Sequence, residues 1–562
     1  MKTVSFVRHK FNQMLAVATM TMSVNYIVML SGSVVVGNLV GGDGLAGVNT
    51  CTPAFGIASF LASILSVGTA LVFSRAMGAF DERRARAVFT QSLLLAVAMG
   101  AAIFLVMRLG GEAFLDFTGV TGAVRVQAAA YWRWQALAMG LLPAVLLMEA
   151  LVYADGDVTL AAVAGAIHVT GTVALSILFT RTMGDAGGAS AGTALTMAIV
   201  LVACAFHFLR RDNHLKLHWR PSAHDLGETC AASLADSTIY VCWGVLIAIV
   251  NRFTVARFGQ DLLPVVALAA SVVEFSIVFD GIGEALIPLG GMYDGEGNSP
   301  ALRELAGHAA FMATAEGVVC GAVFFVFAPV IAPLYGIRGA SAPLLPEAVA
   351  AIRVLALAMP FMGFLMMANT HFLVVHHIRF AVSVTVVKDF ICPMIGVLAL
   401  GLAYGSRGMW AGFAAGYALA AAYPLVYVRL RHGRELFPWL ISRDDGRSID
   451  FAVRLTEWSL SDAGDRIAEF LNDAGIYEDA VVRIAAVVRE MGALTMKANA
   501  RAVVCEYFVS IETPGTVRLI IRDTGRSQDV NGVAGSVAAA SGCRYLNTLG
   551  CNRSEYRFEV AV

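Results

Sequence analysis

Long apolar stretches, separated by short polar segments, recur along the chain from its beginning to about residue 430. An α-helix rises 1.5 Å per residue, so about 20 apolar residues cross the hydrocarbon core of a bilayer with every backbone group paired inside the segment. The pattern predicts about twelve transmembrane helices. The stretches are residues 14–40, 46–73, 90–107, 128–154, 159–181, 188–209, 228–256, 262–291, 306–335, 348–375, 380–404 and 408–429.

The pattern changes after Arg434 to that of an ordinary soluble domain. Residues 461–474 carry their apolar positions on one helical face, and 477–500 continue as a second helix. Runs of β-branched and aromatic residues then predict three strands, at 507–512, 517–523 and 556–562. The fold class is therefore an all-α membrane protein followed by a small α+β domain at 445–562.

Composition and charge agree with a lipid environment. The chain is 58% hydrophobic and 14% charged, with a mean hydropathy of +0.71. Its net charge of −1 gives no indication of nucleic-acid binding. Lys and Arg are retained in cytoplasmic loops, and here they cluster at the amino terminus and after the second, sixth and twelfth stretches. Both termini are therefore expected in the cytoplasm, with the helices in the plasma membrane.

The nine cysteines show no C-x-x-C spacing, so they are interpreted as small apolar side chains, with no metal site. The segment at 210–220, between the sixth and seventh stretches, divides the membrane part into two six-helix lobes at 1–215 and 216–435. In each lobe a glycine-bearing loop precedes a helix rich in small residues and then a turn with glycine and acidic residues. Such repeats usually enclose a cavity near the middle of the membrane.

Two segments resemble the signatures of the multidrug and toxic compound extrusion (MATE) antiporters. The first, GNLVGGDGLAGVNTCTP, runs from Gly37 to Pro53, and the second, GIGEALIPLGGMYDGEG, runs from Gly281 to Gly297. The resemblance implies a two-lobed bacterial transporter that exports organic solutes, cations among them, in exchange for protons or sodium ions. The chain departs from the family in the first helix, where many members carry an aspartate and the matching segment here offers Gly32 or Ser33.

Ionisable residues inside spans are costly and usually functional. Asp236 and Glu274 are the first candidates for the coupling or solute site, together with Asp280. Asp236 has the alternative role of capping the seventh helix, and Glu274 that of pairing with Arg252.

Aromatic and neutral polar residues extend this candidate site. Tyr240 and Trp243 share a helical face with Asp236, where they would contact an organic cation or simply pack between helices. Asn25 and Tyr26 would add neutral polar contacts to a cavity in the first lobe, or would simply bond to a neighbouring helix. A further charged pair, Lys388 and Asp389, lies toward a helix end and is interpreted as an interfacial anchor.

The tail resembles the GHKL ATP-binding domains of anti-sigma-factor and histidine kinases. Asp523 and Gly525 match the turn that binds adenine, and Glu490 matches the acid of the preceding helix motif. Leu494 stands where that family has a magnesium-binding asparagine, and the glycine-rich lid shortens to 530–535. A leucine offers magnesium no oxygen ligand. The resemblance therefore implies no catalysis and leaves ATP binding and a regulatory role open.

The leading hypothesis is a secondary antiporter, not an enzyme, whose partners are a small organic solute, membrane lipid and a coupling proton or sodium ion. No resident cofactor is expected. Whether the tail also binds a cytoplasmic protein is left open. The alternatives are a flippase for a lipid-linked substrate, which predicts a strongly cationic cavity, and a membrane sensor with a kinase-like domain.

Overall fold

The computed structural model describes residues 5–210, 213–334, 343–442, 447–500, 502–512, 515–526 and 543–560. Within these ranges, helices make up most of the chain as far as Arg431, and the strands lie beyond residue 447. The all-α character predicted for the membrane region is confirmed.

Helices α1 to α7 form what we call the first half. Local signals set their ends: the Asp81 carboxylate accepts a hydrogen bond from the Arg84 amide at the start of α4, and Gly119 ends that helix with a φ of 71°. The helices are α1 Phe6–Leu39, α2 Gly42–Ser63, α3 Ser66–Gly78, α4 Glu82–Thr118, α5 Gly122–Ala154, α6 Val158–Met183 and α7 Gly187–Ala205.

Helices α8 to α15 form the second half, in which several helices are interrupted. A bend of 43° separates α12 from α13. Gly405 breaks α15 with a φ of 72° and a ψ of −155°, between the predicted stretches 380–404 and 408–429. The helices are α8 Ala223–Phe258, α9 Leu263–Glu274, α10 Asp280–Glu296, α11 Ser299–Leu334, α12 Leu345–Ala356, α13 Met359–Val374, α14 Ile378–Val386 and α15 Cys392–Arg431.

Many of these helices have the length and apolarity of membrane spans. In the described part of the chain there are nine such segments, or ten when α12 and α13 count as one bent span. The predicted multi-pass membrane architecture is thereby supported by helix length and composition.

The two halves meet closely where α3 and α10 end. A Cβ atom added to Gly78 would lie 2.2 Å from the carbonyl oxygen of Met292, and one added to Gly295 would lie 2.1 Å from that of Arg75. Glycine is required at these positions because the two backbones are almost in contact. We call this region, formed by the last turns of α3, α5, α10 and α13, the tail-side end.

The C-terminal domain contains helices α16 (Glu457–Asp473) and α17 (Glu478–Ala498) and a five-stranded sheet. Every neighbouring pair of strands is antiparallel, in the order β1-β2-β3-β5-β4. The strands are β1 Ser448–Arg454, β2 Val504–Glu512, β3 Thr516–Asp523, β4 Arg544–Thr548 and β5 Cys551–Glu559.

The sheet has two buried faces of opposite character. Val509, Leu519 and Tyr556 lie in one apolar cluster with residues of α16 and α17. Because side chains alternate along a strand, Arg522 and Arg553 point the other way, toward the membrane region, and both are 0% exposed. The sheet is therefore sandwiched between its own helices and the tail-side end.

Candidate functional site

A cavity of about 140 Å³ lies between helices of the two halves. Its walls come from α1, α3, α5 and α6 of the first half, and from α10 of the second half through Glu284. Glu149 of α5 is a second carboxylate in the wall. His168 of α6 lies next to it, with Nδ1 3.1 Å from Glu149 Oε1. Two carboxylates and an imidazole thus converge where the halves meet.

The size and chemistry of this cavity limit what it can bind. Sites for drug-sized ligands are typically about 300–1,000 Å³, so this cavity suits an ion, a proton or a few water molecules. Carboxyl and imidazole groups in hydrogen-bond contact can exchange a proton, because either can act as donor or acceptor. Thr21 and Ser66 add hydroxyl groups to the wall.

The site predicted from the sequence did not include Glu149, although this residue is ionisable and lies within the predicted span 128–154. The predicted site also missed Glu284 and His168, although both lie in apolar surroundings: Glu284 within GIGEALIPL and His168 within AAVAGAIHVTG. The criterion that selected Glu274, an ionisable group flanked by apolar residues in a span, would have selected both.

Two of the predicted site residues, Glu274 and Trp243, are in contact. The indole Nε1 of Trp243 in α8 donates a hydrogen bond to Glu274 Oε1 at the end of α9, over 3.2 Å. The alternative, in which Glu274 pairs with Arg252, is not among the ion pairs of the described residues, and the Arg252 side chain is exposed. In the structure the hydrogen-bond partner of Glu274 is Trp243. The contact ties α8 to α9.

Tyr26 of α1 reaches the same region of the second half. Its hydroxyl donates to the carbonyl of Ser271 over 2.8 Å, and its ring packs edge-on against Phe275 at 5.1 Å. Asp280, half-buried, is the first residue of α10 and follows a 3₁₀ segment at Phe275–Phe279. The other predicted site residues, Asn25, Asp236 and Tyr240, have side chains outside the described residues, so their roles stay predictions.

Lys388 and Asp389, interpreted from the sequence as an interfacial anchor, are buried in the protein. They form an ion pair of 2.5 Å and are only 5% and 6% exposed. Both belong to a π-helical segment, Val387–Ile391, between α14 and α15. Such burial is unusual for an interfacial anchor, and the anchoring role stays a prediction. A buried ion pair is costly to desolvate, and π-helical turns often mark functional positions.

Arg75 of α3 joins the halves at the tail-side end. Its guanidinium contacts Glu228 of α8 at 2.6 Å and Asp294 of α10 at 2.9 Å. A third contact goes to the carbonyl of Leu373 in α13, at 3.0 Å. One first-half arginine is thus bound by three second-half helices, which holds this end closed in the structure.

In the tail, the Asp523 carboxylate, which belongs to the predicted nucleotide site, is already hydrogen-bonded within the protein. Asp523 Oδ1 accepts hydrogen bonds from the Asn552 amide at 2.9 Å and the Gly525 backbone amide at 2.7 Å. Burial raises the pKa of Asp523, although these bonds oppose the shift. Leu494 packs against the apolar core of the domain, and half-buried Glu490 interacts with Tyr556. The predicted lid at 530–535 lies outside the described residues.

Comparison with known proteins identifies the membrane region. A family model described as MatE matches residues 17–178 and 237–396, together more than half of the chain. The two matched segments begin in α1 and in α8, the first helix of each half. No curated protein sequence matches the chain.

Solved structures agree on the fold. One described as MATE in complex with MaL6 has a TM-score of 0.71 and 22% identity, covering 76% of this chain and 96% of that one. Another is described as an outward-facing multidrug resistance MATE family transporter of the MOP superfamily, with the same values. A MOP superfamily transporter from Pyrococcus furiosus, described as having a binding pocket of reverse polarity, has a TM-score of 0.70 and 22% identity, covering 77% and 98%.

Proposed function

The chain belongs to the MatE family of membrane transporters, and from this premise we propose that it exports small organic solutes in exchange for protons. The observation that supports this proposal most directly is the cavity lined by Glu149 and Glu284. His168 lies behind Glu149 and is in hydrogen-bond contact with it. It is built from both halves, so a proton bound there affects the contact that alternating access must change.

A proton fits this cavity better than a sodium ion. Sodium is a hard cation and is coordinated by oxygen ligands in transporters. Glu149, however, has an imidazole nitrogen at 3.1 Å, and a protonated imidazole competes with a cation for the same carboxylate. Histidine also changes charge near neutral pH, as a proton-driven cycle requires. The experiment must nevertheless be able to detect sodium-coupled transport, which would contradict this assignment.

The organic solute requires a different and larger site, because the cavity is too small for it. The contact between Trp243 and Glu274 supports the predicted solute site, since it joins a carboxylate to an aromatic ring. Such a pair can bind an organic cation through charge and through the face of the indole. Asp236, Tyr240, Asp280, Asn25 and Tyr26 complete this proposed site.

The wider architecture follows from the same premise. The nine spans, the bent pair, α1 and the division of α15 at Gly405 together support twelve transmembrane helices in two lobes. The basic loops support a cytoplasmic tail-side end in a bacterial plasma membrane, with the tail as a regulatory domain. A carboxylate-lined cavity does not support the flippase alternative, which requires a cationic one.

The test is transport by the full-length protein in proteoliposomes. A fluorescent organic cation would be followed under an imposed proton gradient or an imposed sodium gradient. We expect flux only with the proton gradient, and we expect Glu149→Gln and Glu284→Gln each to lower it at least tenfold. Glu274→Gln should instead raise the solute concentration needed for half-maximal flux, because it acts on solute binding.

Glu112→Gln is the matched control. Glu112 is an exposed acid at the far end of α4, paired with Arg125 outside both proposed sites, so flux should not change. Sodium-driven flux, or unchanged flux in both cavity variants, would contradict proton coupling at this cavity. Absence of flux for every cation tested would contradict the proposed class of solute.

A further inference from the structure

The turn between β4 and β5 inserts into the seam between the two halves. Leu549, at the tip of this turn, is only 2% exposed. It lines one small pocket with Met77 and Ala154 of the first half and with Met292 of the second half. Gly156, just beyond the end of α5, lies so close to this turn that a Cβ added to it would be 2.4 Å from the Leu549 Cα. The tail thus contacts both halves through one turn.

Arg553 crosses the same seam with its charge. Its guanidinium donates to the carbonyls of Met77 and Gly78, each at 3.0 Å, and also to the carboxylate of Glu296. The two carbonyls end α3 in the first half, and Glu296 ends α10 in the second half. The last carbonyls of a helix lack partners within it and carry partial negative charge, so a cation is favoured there.

Two further arginines bind the end of α10. Arg522 contacts the carboxylates of Glu296 and Glu506, and its guanidinium lies 4.7 Å from the centre of the Tyr293 ring. Arg518 donates to the backbone carbonyl of Glu296 over 2.7 Å. The carboxylate of Glu296, itself fully buried, is therefore shared by Arg522 and Arg553.

This arrangement couples docking of the tail to closure of the seam. If α3 and α10 moved apart, Arg553 would lose either the α3 carbonyls or Glu296. A buried charge that loses its partner is strongly unfavourable, so separation would require the tail to leave as well. Opening of this end and docking of the tail are then mutually exclusive.

We propose that the C-terminal domain is a removable clamp that holds the tail-side end closed, and that this end opens only when Leu549 and Arg553 leave the seam. The inference deepens the proposed function, because it specifies how the regulatory domain acts on alternating access. It concerns conformation, and so it can be tested separately from solute flux.

The test measures the distance between the halves in the full-length protein in lipid nanodiscs. Spin labels are introduced through a non-canonical amino acid at Arg83 in α4 and Arg379 in α14, two exposed positions on different halves. This leaves the nine native cysteines in place. Pulsed electron paramagnetic resonance then gives the distance distribution without solute or gradient, for the parent chain, Glu296→Gln and Leu549→Gly.

We expect one short distance in the parent and an additional longer distance in both variants. Leu549→Gly removes the inserted side chain without leaving a buried charge, and glycine suits the φ of 54° at this position. It therefore tests the clamp even if Glu296→Gln fails to fold. Glu112→Gln is the control and should keep the parent distribution.

A distribution in folded Leu549→Gly that matches the parent would overturn the clamp, whatever the transport assay gives. A longer distance in the variants of a protein that transports none of the cations tested would support the clamp while counting against the proposed solute class. The two proposals therefore fail through different measurements.

Discussion

Asp450 lies on β1 where the tail meets the membrane region. Burial raises the pKa of this carboxyl from 3.8 to about 7, with the nearby Asn298 side chain opposing the shift and the nearby charge of Glu304 adding to it. Glu506 on the adjacent strand β2 also has a raised pKa, first because of burial and then because of Asp450. The docked tail therefore favours the protonated form of Asp450, whereas Glu506 also contacts the Arg522 guanidinium, which favours its charged form.

Docking should therefore weaken as pH rises. An acid whose pKa is higher in the docked state binds a proton more tightly there, so stability is greatest below its ordinary pKa and is lost as pH rises toward the docked value. For Asp450 the window is about 4 to 7. Hydrogen exchange of β5 amides, corrected for the intrinsic pH dependence of exchange, should become faster relative to reference peptides across this window.

Asp450→Asn is the matched variant for this measurement. The amide keeps the size of the side chain but does not titrate, so the part of the pH dependence that Asp450 contributes should disappear. Equal pH dependence in the variant and the parent would show that Asp450 does not control docking.

Arg522 and Arg553 mark the limit of sequence reasoning at this scale. The pattern RLIIRD correctly indicated a strand, and a charged face of an antiparallel sheet is normally exposed to water. Here the same face is buried because the helix ends at Gly78 and Glu296 supply carbonyls and a carboxylate. Such partners are more than 200 residues away in sequence, and nothing in the local pattern indicates them.

At the scale of elements, periodicity located helices and strands better than it located their ends. The predicted strands at 507–512 and 517–523 correspond to β2 and β3. β5 begins at Cys551, five residues before the predicted strand, because the polar segment CNRSE pairs with β3 and β4 and is buried. β1 and β4 were not predicted: β4 has only five residues, and both strands depend on their neighbours for pairing.

The crossing of α3 and α10 gives a test of the closed seam. In Gly78→Ala the new Cβ would lie 2.2 Å from the Met292 carbonyl oxygen, closer than any relaxed contact. The backbones must move, and overpacking of this kind typically costs about 1–3 kcal/mol. We expect a lower thermal unfolding temperature, measured by tryptophan fluorescence in detergent.

Gly110→Ala in α4 is the control for this substitution. A Cβ at Gly110 meets no atom within 4 Å, so the change should be neutral or raise stability by up to about 1 kcal/mol through helix propensity. If Gly78→Ala unfolds at the same temperature as the parent, then the close approach of α3 to α10 does not contribute to stability.

For the whole molecule, the tail distinguishes a regulated transporter from a kinase-like sensor. Leu494 provides no magnesium ligand, and Asp523 is already bonded to Asn552 and Gly525. We expect calorimetry on the full-length protein to detect no magnesium-dependent binding of ATP. Leu494→Asn, which restores an oxygen ligand, is the comparison, and tight magnesium-dependent binding by the unaltered chain would favour the sensor.

The position of the tail also predicts the orientation of the whole molecule. Trp458 in α16 and Phe117 at the far end of α4 are both 88% exposed, and the nine native cysteines are buried or half-buried. A membrane-impermeant maleimide should label Trp458→Cys in inside-out vesicles and Phe117→Cys in right-side-out vesicles, because the basic loops predict a cytoplasmic tail-side end. The unsubstituted chain gives the background from native thiols. Labelling with the opposite sidedness would place the clamp outside the cell, where no cytoplasmic partner could release it.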